Sequence, residues 1–577
     1  MNRTTAVFCS LIALALCTGA FAADLMSDTW TATDAIGRTL PGFKECGPPK
    51  KDKFVAIFYF TWLGQHSTSG PWDITKIVAA NPKNPQWGPV NHFHHWGESE
   101  LGYYLSSDPY VMRKHCAMLV NAGIDVLVLD VTNSFTYHDN FMALCKVLQE
   151  YRDKGVKTPQ VAFMVNSAPD KTITSLYNDV YAKNLYPDLW FQWLGKPLIL
   201  APPGDVSPEI KDFFTFRQSW AWHDPNGWYG DGRDKWPWLD STPQAFGWHE
   251  KGVPEEICVC VAQHPMTNIG RSFRDGKEPD PADQHPEQGL YFAEQWKRAL
   301  DVNPSFLFIT GWNEWVAQRF LADGVYNLMT GRKLAKGESF FVDAYSQEYS
   351  RDIEPMKGGH TDNYYYQMID GIRRFKGVRP PEPSIGPKTI KIDGKFDDWA
   401  GVRPEYLDWA GDTEHRNSVG WGAANKYVNN TGRNDIVRTK VSYDGKYVYF
   451  YAETKDALTS YKNPSWMLLF IDADCDSSTG WHGYDCLVNK TVGPKISTPM
   501  KNTGAWNWNQ ARDVSYNVAG NKLEIRIPRR HLGLAGKPVK LDFHWADNIK
   551  QNDDIIEFAV SGDSAPDRRF NYHFEQR

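Results

Sequence analysis

Glu314 stands between two tryptophans in the run Phe306-Leu307-Phe308-Ile309-Thr310-Gly311-Trp312-Asn313-Glu314-Trp315. An aromatic surround disfavours the ionised form of a carboxyl group, so the group keeps its proton to higher pH, as an acid catalyst requires. Three other acids could share its chemistry. Asp130 ends the apolar run Val126–Asp130, Glu98 lies in the segment 91–104, and Glu354 lies in Arg351-Asp352-Ile353-Glu354-Pro355. Each has a plainer reading: an Asp that holds a loop, a solvated loop acid, and an ion pair of Glu354 with Arg351. Two carboxyl groups across an aromatic-lined cleft are what glycosidic cleavage needs. One protonates the departing oxygen while the other acts on the sugar carbon or on a water. No Gly-x-Ser-x-Gly turn is present, which removes support for serine hydrolysis. Cys258 and Cys260 lie inside an apolar run, away from the exposed, electropositive setting of a reactive thiol.

The groups expected to hold a sugar are Trp62, His94, His95, Trp96, Glu100, Asn166, Trp222, His264, Trp312 and Asn313. Segment 91–104 concentrates several of them, with three histidines, two glutamates and four aromatics. We read it as a loop that lines a substrate. A metal centre at His92, His94 and His95 is the rival, but the one-turn or knuckle spacing of zinc ligands is missing. The chain has 24 Trp, 27 Tyr and 30 Phe, 14% of 577 residues, which suits stacking on sugar faces as well as filling cores.

Elements must position these groups. Apolar runs at 54–60, 126–130, 161–165, 197–200, 214–219, 257–262 and 306–310 alternate with helical patterns at 110–121, 140–154, 170–183 and 288–299. Continuous apolar runs are expected of parallel strands covered on both faces. The repeated unit predicts a (β/α)8 TIM barrel over residues 23–378, with seven strands assigned and the eighth unplaced. Functional groups then belong at the C-terminal strand ends, where the residues named above fall. Residues 379–387, rich in Pro, read as a linker. Residues 388–577 read as an all-β sandwich of short strands with turn signals.

Residues 1–22 carry Arg3, an apolar run and Ala20-Phe21-Ala22, the pattern of a cleaved signal peptide. The expected location is therefore periplasmic or secreted, without lipid anchoring at Cys17. No later segment is apolar enough to span a membrane, and a monomer is expected. The net charge of -6 gives no footprint for nucleic acid. Seven cysteines beyond residue 22 are too few for a disulfide framework, although Cys475 and Cys486 could pair.

The motif ending in Trp312-Asn313-Glu314-Trp315 resembles the terminal strand of glycoside hydrolase families 71 and 99. That resemblance implies a (β/α)8 barrel and an exported glycoside hydrolase acting on a polysaccharide or glycan, without a cofactor for catalysis. In family 99, endo-acting α-mannosidases use two glutamates of a Trp-Asn-Glu-Trp-x-Glu stretch. The first falls on Glu314 and the second on Ala317, with Glu354 as a candidate to fill the vacancy. The missing acid favours a rival: a non-catalytic glycan-binding protein on a hydrolase-like barrel. Ile392-Asp393-Gly394-Lys395-Phe396-Asp397-Asp398-Trp399 and residues 470–481 resemble family 9 carbohydrate-binding modules. There Asp472, Asp474 and Asp476 alternate and could gather the hard oxygens of a structural calcium site. Trp466, Trp481, Trp506 and Trp508 are platform or core.

Overall fold

The computed structural model describes residues 24–327, 329–511, 513–550 and 554–577, so the expected signal peptide lies outside the described residues. Seven parallel strands form the first sheet: β1 (Phe54–Tyr59), β2 (Val126–Asp130), β3 (Gln160–Met164), β4 (Lys196–Leu200), β5 (Thr215–Arg217), β6 (Glu256–Cys260) and β7 (Phe306–Thr310). Their order is β5-β4-β3-β2-β1-β7-β6. Four main helices flank it: α1 (Pro109–Ala122), α2 (His138–Asp153), α3 (Leu290–Val302) and α4 (Asn363–Lys376).

The pleat explains the apolar runs. Val55, Ile57, Leu127, Leu129, Leu307 and Ile309 pack outward against the helices. Their neighbours Ala56, Phe58, Val126, Val128, Phe306 and Phe308 fill the inside of the curl. Each strand is buried on both faces, so its sequence lacks polar alternation. Helix α1 is set by sequence at both ends. Asp108 accepts from the Tyr110 amide beside Pro109, and Gly123 closes it with a left-handed φ of 83°.

The ladders form a curled half-barrel and do not complete the expected closed one among the described residues. No ladder joins β5 to β6 among the described residues. Beyond β6 lies only the short antiparallel Phe246–Gly247. Irregular chain fills the eighth place through single bridges, Gln218 with Lys235 and Ala221 with Leu239. The sheet is curled and open on this side.

The C-terminal part is a large antiparallel sheet. Its longest strands are β8 (Ile436–Tyr443), β9 (Tyr447–Thr454), β10 (Leu468–Asp472), β11 (Lys522–Pro528) and β12 (Lys540–Asp547). One continuous path of ladders runs from Glu405–Leu407 through β8, β9 and β11, and returns through β10 and β12 to Asp563–Ala565. This path surrounds a core that includes Val441, Phe450, Ile471, Ile525 and Phe543. A register shift lies between Ile436 and Arg438, and Val437 within it is half-buried. Cys475 and Cys486 are free thiols, not a disulfide.

Residues 379–387 form no helix or strand, and they do not leave the two sheets independent. Buried ion pairs that cross between them include Glu100 with Arg568, Asp108 with Arg416, and Asp362 with Arg569. Every one of these six side chains is less than a tenth exposed. No helix among the described residues is long and apolar enough to cross a membrane.

Candidate active site

Glu314 lies just past β7, and the chain returns to it at residues 351–354. The Gly311 amide donates to the Arg351 carbonyl (2.6 Å), and the Glu354 amide donates to the Trp312 carbonyl (2.9 Å). The Glu314 amide donates to Asp352 Oδ1 at 2.8 Å. This pairing brings Arg351 onto Glu314, with Nη2 2.9 Å from Oε2. The same guanidinium meets Asp343 at 3.2 Å and covers the Trp238 ring at 5.4 Å.

The Glu314 side chain keeps 17% of its surface open, whereas Arg351 keeps 3%. Burial pushes the Glu314 carboxyl well above the usual carboxylate range. Arg351 opposes this, and the negative charges of Asp343, Asp352 and Asp130 add to it. Asp352 is itself raised to about 6, chiefly by burial, although the Glu314 amide, Arg351 and Arg271 oppose the rise. Glu314, Asp343 and Asp352 therefore share the field of Arg351.

Asp130 ends β2 and is almost enclosed. Trp62 Nε1 donates to its Oδ2 at 2.9 Å, while the Thr132 amide and hydroxyl hold Oδ1 at 3.0 and 2.8 Å. Trp62 is half-buried and belongs to an aromatic group that reaches the surface. Phe60 lies 4.0 Å from it and Phe93 5.4 Å, and Tyr137 stacks at 6.0 Å. Phe135 extends the group with 57% exposure. Across the mouth, His264 Nδ1 accepts from the Met266 amide at 3.0 Å, so its proton sits on Nε2. That Nε2 is buried without a partner. Burial holds the ring's pKa down, helped by Arg351 and opposed by Asp343, so it stays a neutral donor. Trp222 is half-buried with Nε1 on Gln263 at 2.9 Å, and Asn166 is half-buried just past β3.

Other expected site residues are placed elsewhere. Glu354 is 1% exposed and takes Ser99 (2.5 Å), Tyr104 (2.6 Å) and Trp315 (2.6 Å), with His115 at 3.2 Å. It bonds neither Arg351 nor open space, so it cannot fill the place of the second family acid. Glu98 pairs with Lys76 at 2.5 Å and Lys357 at 2.6 Å. Part-burial raises its pKa, but these two cations outweigh that and hold it below the usual range. Glu100 is committed to Arg568. Trp96 is enclosed and stacks on Trp315 at 4.4 Å, and Trp312 is enclosed against His115 and Tyr365. Asn313 clamps the Phe60 backbone through both amide atoms, at 2.8 and 3.1 Å.

The strand Val316–Leu321 pairs with Phe93–His95, setting Ala317 opposite His94. Ala317 packs with Ile74 and Phe341, so a carboxylate there would meet apolar neighbours. His94 and His95 are buried on different neighbours, Phe341 for one and Tyr103 with Trp421 for the other. Burial lowers their pKa values to about 4 and about 3. They form packing, not a converging metal set. Sequence reasoning missed Asp343 and Trp238, which reach the site by packing on Arg351, and it paired Arg351 with Glu354 where the structure pairs it with Glu314. The run Arg351-Asp352 was the available hint.

In the C-terminal sheet, Asp472, Asp474 and Asp485 present oxygens within 4.8 Å of one another, a set that could hold calcium. Asp476 is not part of it; its carboxylate caps Ser478. Trp466 and Trp481 are buried in cores, while Trp506 and Trp508 are half-buried beside Phe470.

No protein-family model matches the chain, and no curated protein matches it. Among solved structures, the chain is similar to a GH99 endo-α-mannosidase from Bacteroides thetaiotaomicron in complex with BIS-TRIS-propane. The identity is 17% over 56% of this chain and 97% of that chain, with a TM-score of 0.34. It is also similar to another structure of a GH99 endo-α-mannosidase from that organism, at 19% identity over 57% of this chain and 99% of that one, again with a TM-score of 0.34.

Proposed function

We propose that the chain is a glycoside hydrolase in which Glu314 is the proton-carrying carboxyl and Asp130 its partner. The observation that supports this most is the setting of Glu314. It is partly open and proton-retaining, and lies at a C-terminal strand end beside three further carboxyl groups and an aromatic group rimmed by Trp62. Glu314 protonates the departing glycosidic oxygen. Asp130, oriented by Trp62 and Thr132, acts on the sugar carbon or on a water. Arg351 and the neutral His264 bind sugar hydroxyls or the oxygen on which charge develops. The glycan is the partner, and export rests on residues 1–22.

The test is product analysis on a broad glycan panel, wild type against Asp130→Asn. We expect new reducing ends from the wild type and a loss of about 10²–10⁴-fold in kcat for the variant. Retained glycan binding without any cleavage by the wild type would instead select the non-catalytic binder. The ion pair between Glu314 and Arg351 is the observation that favours this second reading.

Trp62 separates positioning from binding. Trp62→Phe keeps a ring but removes the donor to Asp130, so kcat falls while KM stays near the wild-type value. Trp62→Ala also removes the platform and weakens glycan binding roughly tenfold, about 1.4 kcal/mol. Steady-state kinetics on one cleaved glycan check both.

A further inference from the structure

A second acidic centre lies far from this chemistry, where the C-terminal sheet meets α1. Asp408 follows Glu405–Leu407, Asp412 lies four residues on, and Asp563 opens Asp563–Ala565. Each presents a carboxylate oxygen, all within 4.8 Å of one another. Asp408 is only 5% exposed, and neither of its side-chain oxygens has a hydrogen-bond partner. The Trp409 amide gives partial relief. Asp412 Oδ1 is also buried and unpartnered. A buried carboxylate with empty lone pairs costs several kcal/mol unless a cation or a proton satisfies it.

The protein supplies too little positive charge. Asp567, 9% exposed, adds a fourth carboxylate and is held by Asn121 of α1 at 3.0 Å. Against these four stands Lys114, also on α1, which forms no ion pair within 4 Å among those of the described residues. Arg568 next in sequence is already spent on Glu100. A small polar recess, lined by Lys114, Asp412, Asp563 and Asp567, borders two of the three carboxylates and offers an ion its way in.

We propose that Asp408, Asp412 and Asp563 hold a calcium ion that ties two strand ends of the C-terminal sheet together beside α1. The donor set is all hard oxygen, without nitrogen or sulfur. The spacing suits Ca–O distances of about 2.3–2.6 Å, and water from the recess completes the shell. The ion satisfies the empty lone pairs of Asp408 and ties the strand ends at 407 and 563 to one point. This site is independent of Glu314 and separate from Asp472, Asp474 and Asp485.

The test uses the full chain stripped with EDTA and then given Ca²⁺ alone. A background variant, Asp474→Asn with Asp485→Asn, removes the other acidic set. In that background we expect one Ca²⁺ per chain by elemental analysis. Ca²⁺ at about 100 times its Kd should shift the folding equilibrium about a hundredfold toward the native state. Adding Asp408→Asn should abolish both the stoichiometry and the shift. Should Asp408→Asn fail to fold, the metal content and Ca²⁺-dependent stability of the background variant still decide the matter. Absence of bound Ca²⁺ there, or Asn substitutions that stabilise the chain with no metal dependence, would overturn the proposal and assign the cluster to shared protons.

Discussion

Glu314→Gln abolishes glycan cleavage, with a loss of about 10²–10⁴-fold in kcat and little change in glycan binding. Gln keeps the shape and can still accept from Arg351, so the fold and sugar contacts persist, but it has no proton to deliver. The pH dependence carries the same mark. Because burial holds the folded carboxyl's proton above the usual carboxylate range, the acid form outlasts that range, and activity declines as pH rises through the elevated pKa. Stability moves with it. The folded chain binds this proton more tightly than the unfolded chain does, so ionising Glu314 costs native stability as pH rises above the ordinary carboxylate range. Gln lacks that cost. Relative to the wild type, the variant therefore gains stability as pH rises above the ordinary carboxylate range, read by urea titration at each pH. A variant that retained wild-type cleavage would remove Glu314 from the chemistry.

Much of the parallel sheet was legible because its strands are buried twice over. β2 and β7 coincide with the apolar runs that announce them, and β3, β4 and β6 differ by a residue or two. The edge was not legible. Chain between β5 and β6 makes bridges from isolated residues such as Gln218 and Ala221, and such pairing leaves no period in the sequence. The site divides in the same way. Strand-end position singled out Asp130, Trp62, His264 and Glu314; the structure bonds Trp62 to Asp130 and sets Arg351 on Glu314 and beside His264. Residue type alone misled at Glu354 and Glu100. Both are acids near aromatics, yet each is enclosed by donors more than 200 residues away in the chain, Ser99, Tyr104 and His115 for one and Arg568 for the other. Partners at that separation are set by topology, which one sequence read locally does not contain.

Glu100→Ala should therefore unfold the chain more readily instead of weakening a sugar contact. Glu100 meets Arg568 through both carboxylate oxygens, with Oε2 2.8 Å from Nη2, and the two side chains are 3% and 5% exposed. Removing one partner leaves a buried guanidinium without its counter-charge. The expected loss is about 3–5 kcal/mol, seen as a lower urea midpoint. Arg568 also lies over the Tyr365 ring of α4, so its displacement disturbs α4 as well as the seam. The double variant Glu100→Leu with Arg568→Met replaces the pair by apolar bulk and should recover most of the loss, because desolvation offsets much of the attraction within such a pair. A substrate-binding Glu100 predicts the opposite pattern: an unchanged midpoint, a raised KM, and no rescue by the double variant. The geometry decides between them in advance, since a carboxylate with both oxygens on one enclosed guanidinium has nothing left to offer a sugar.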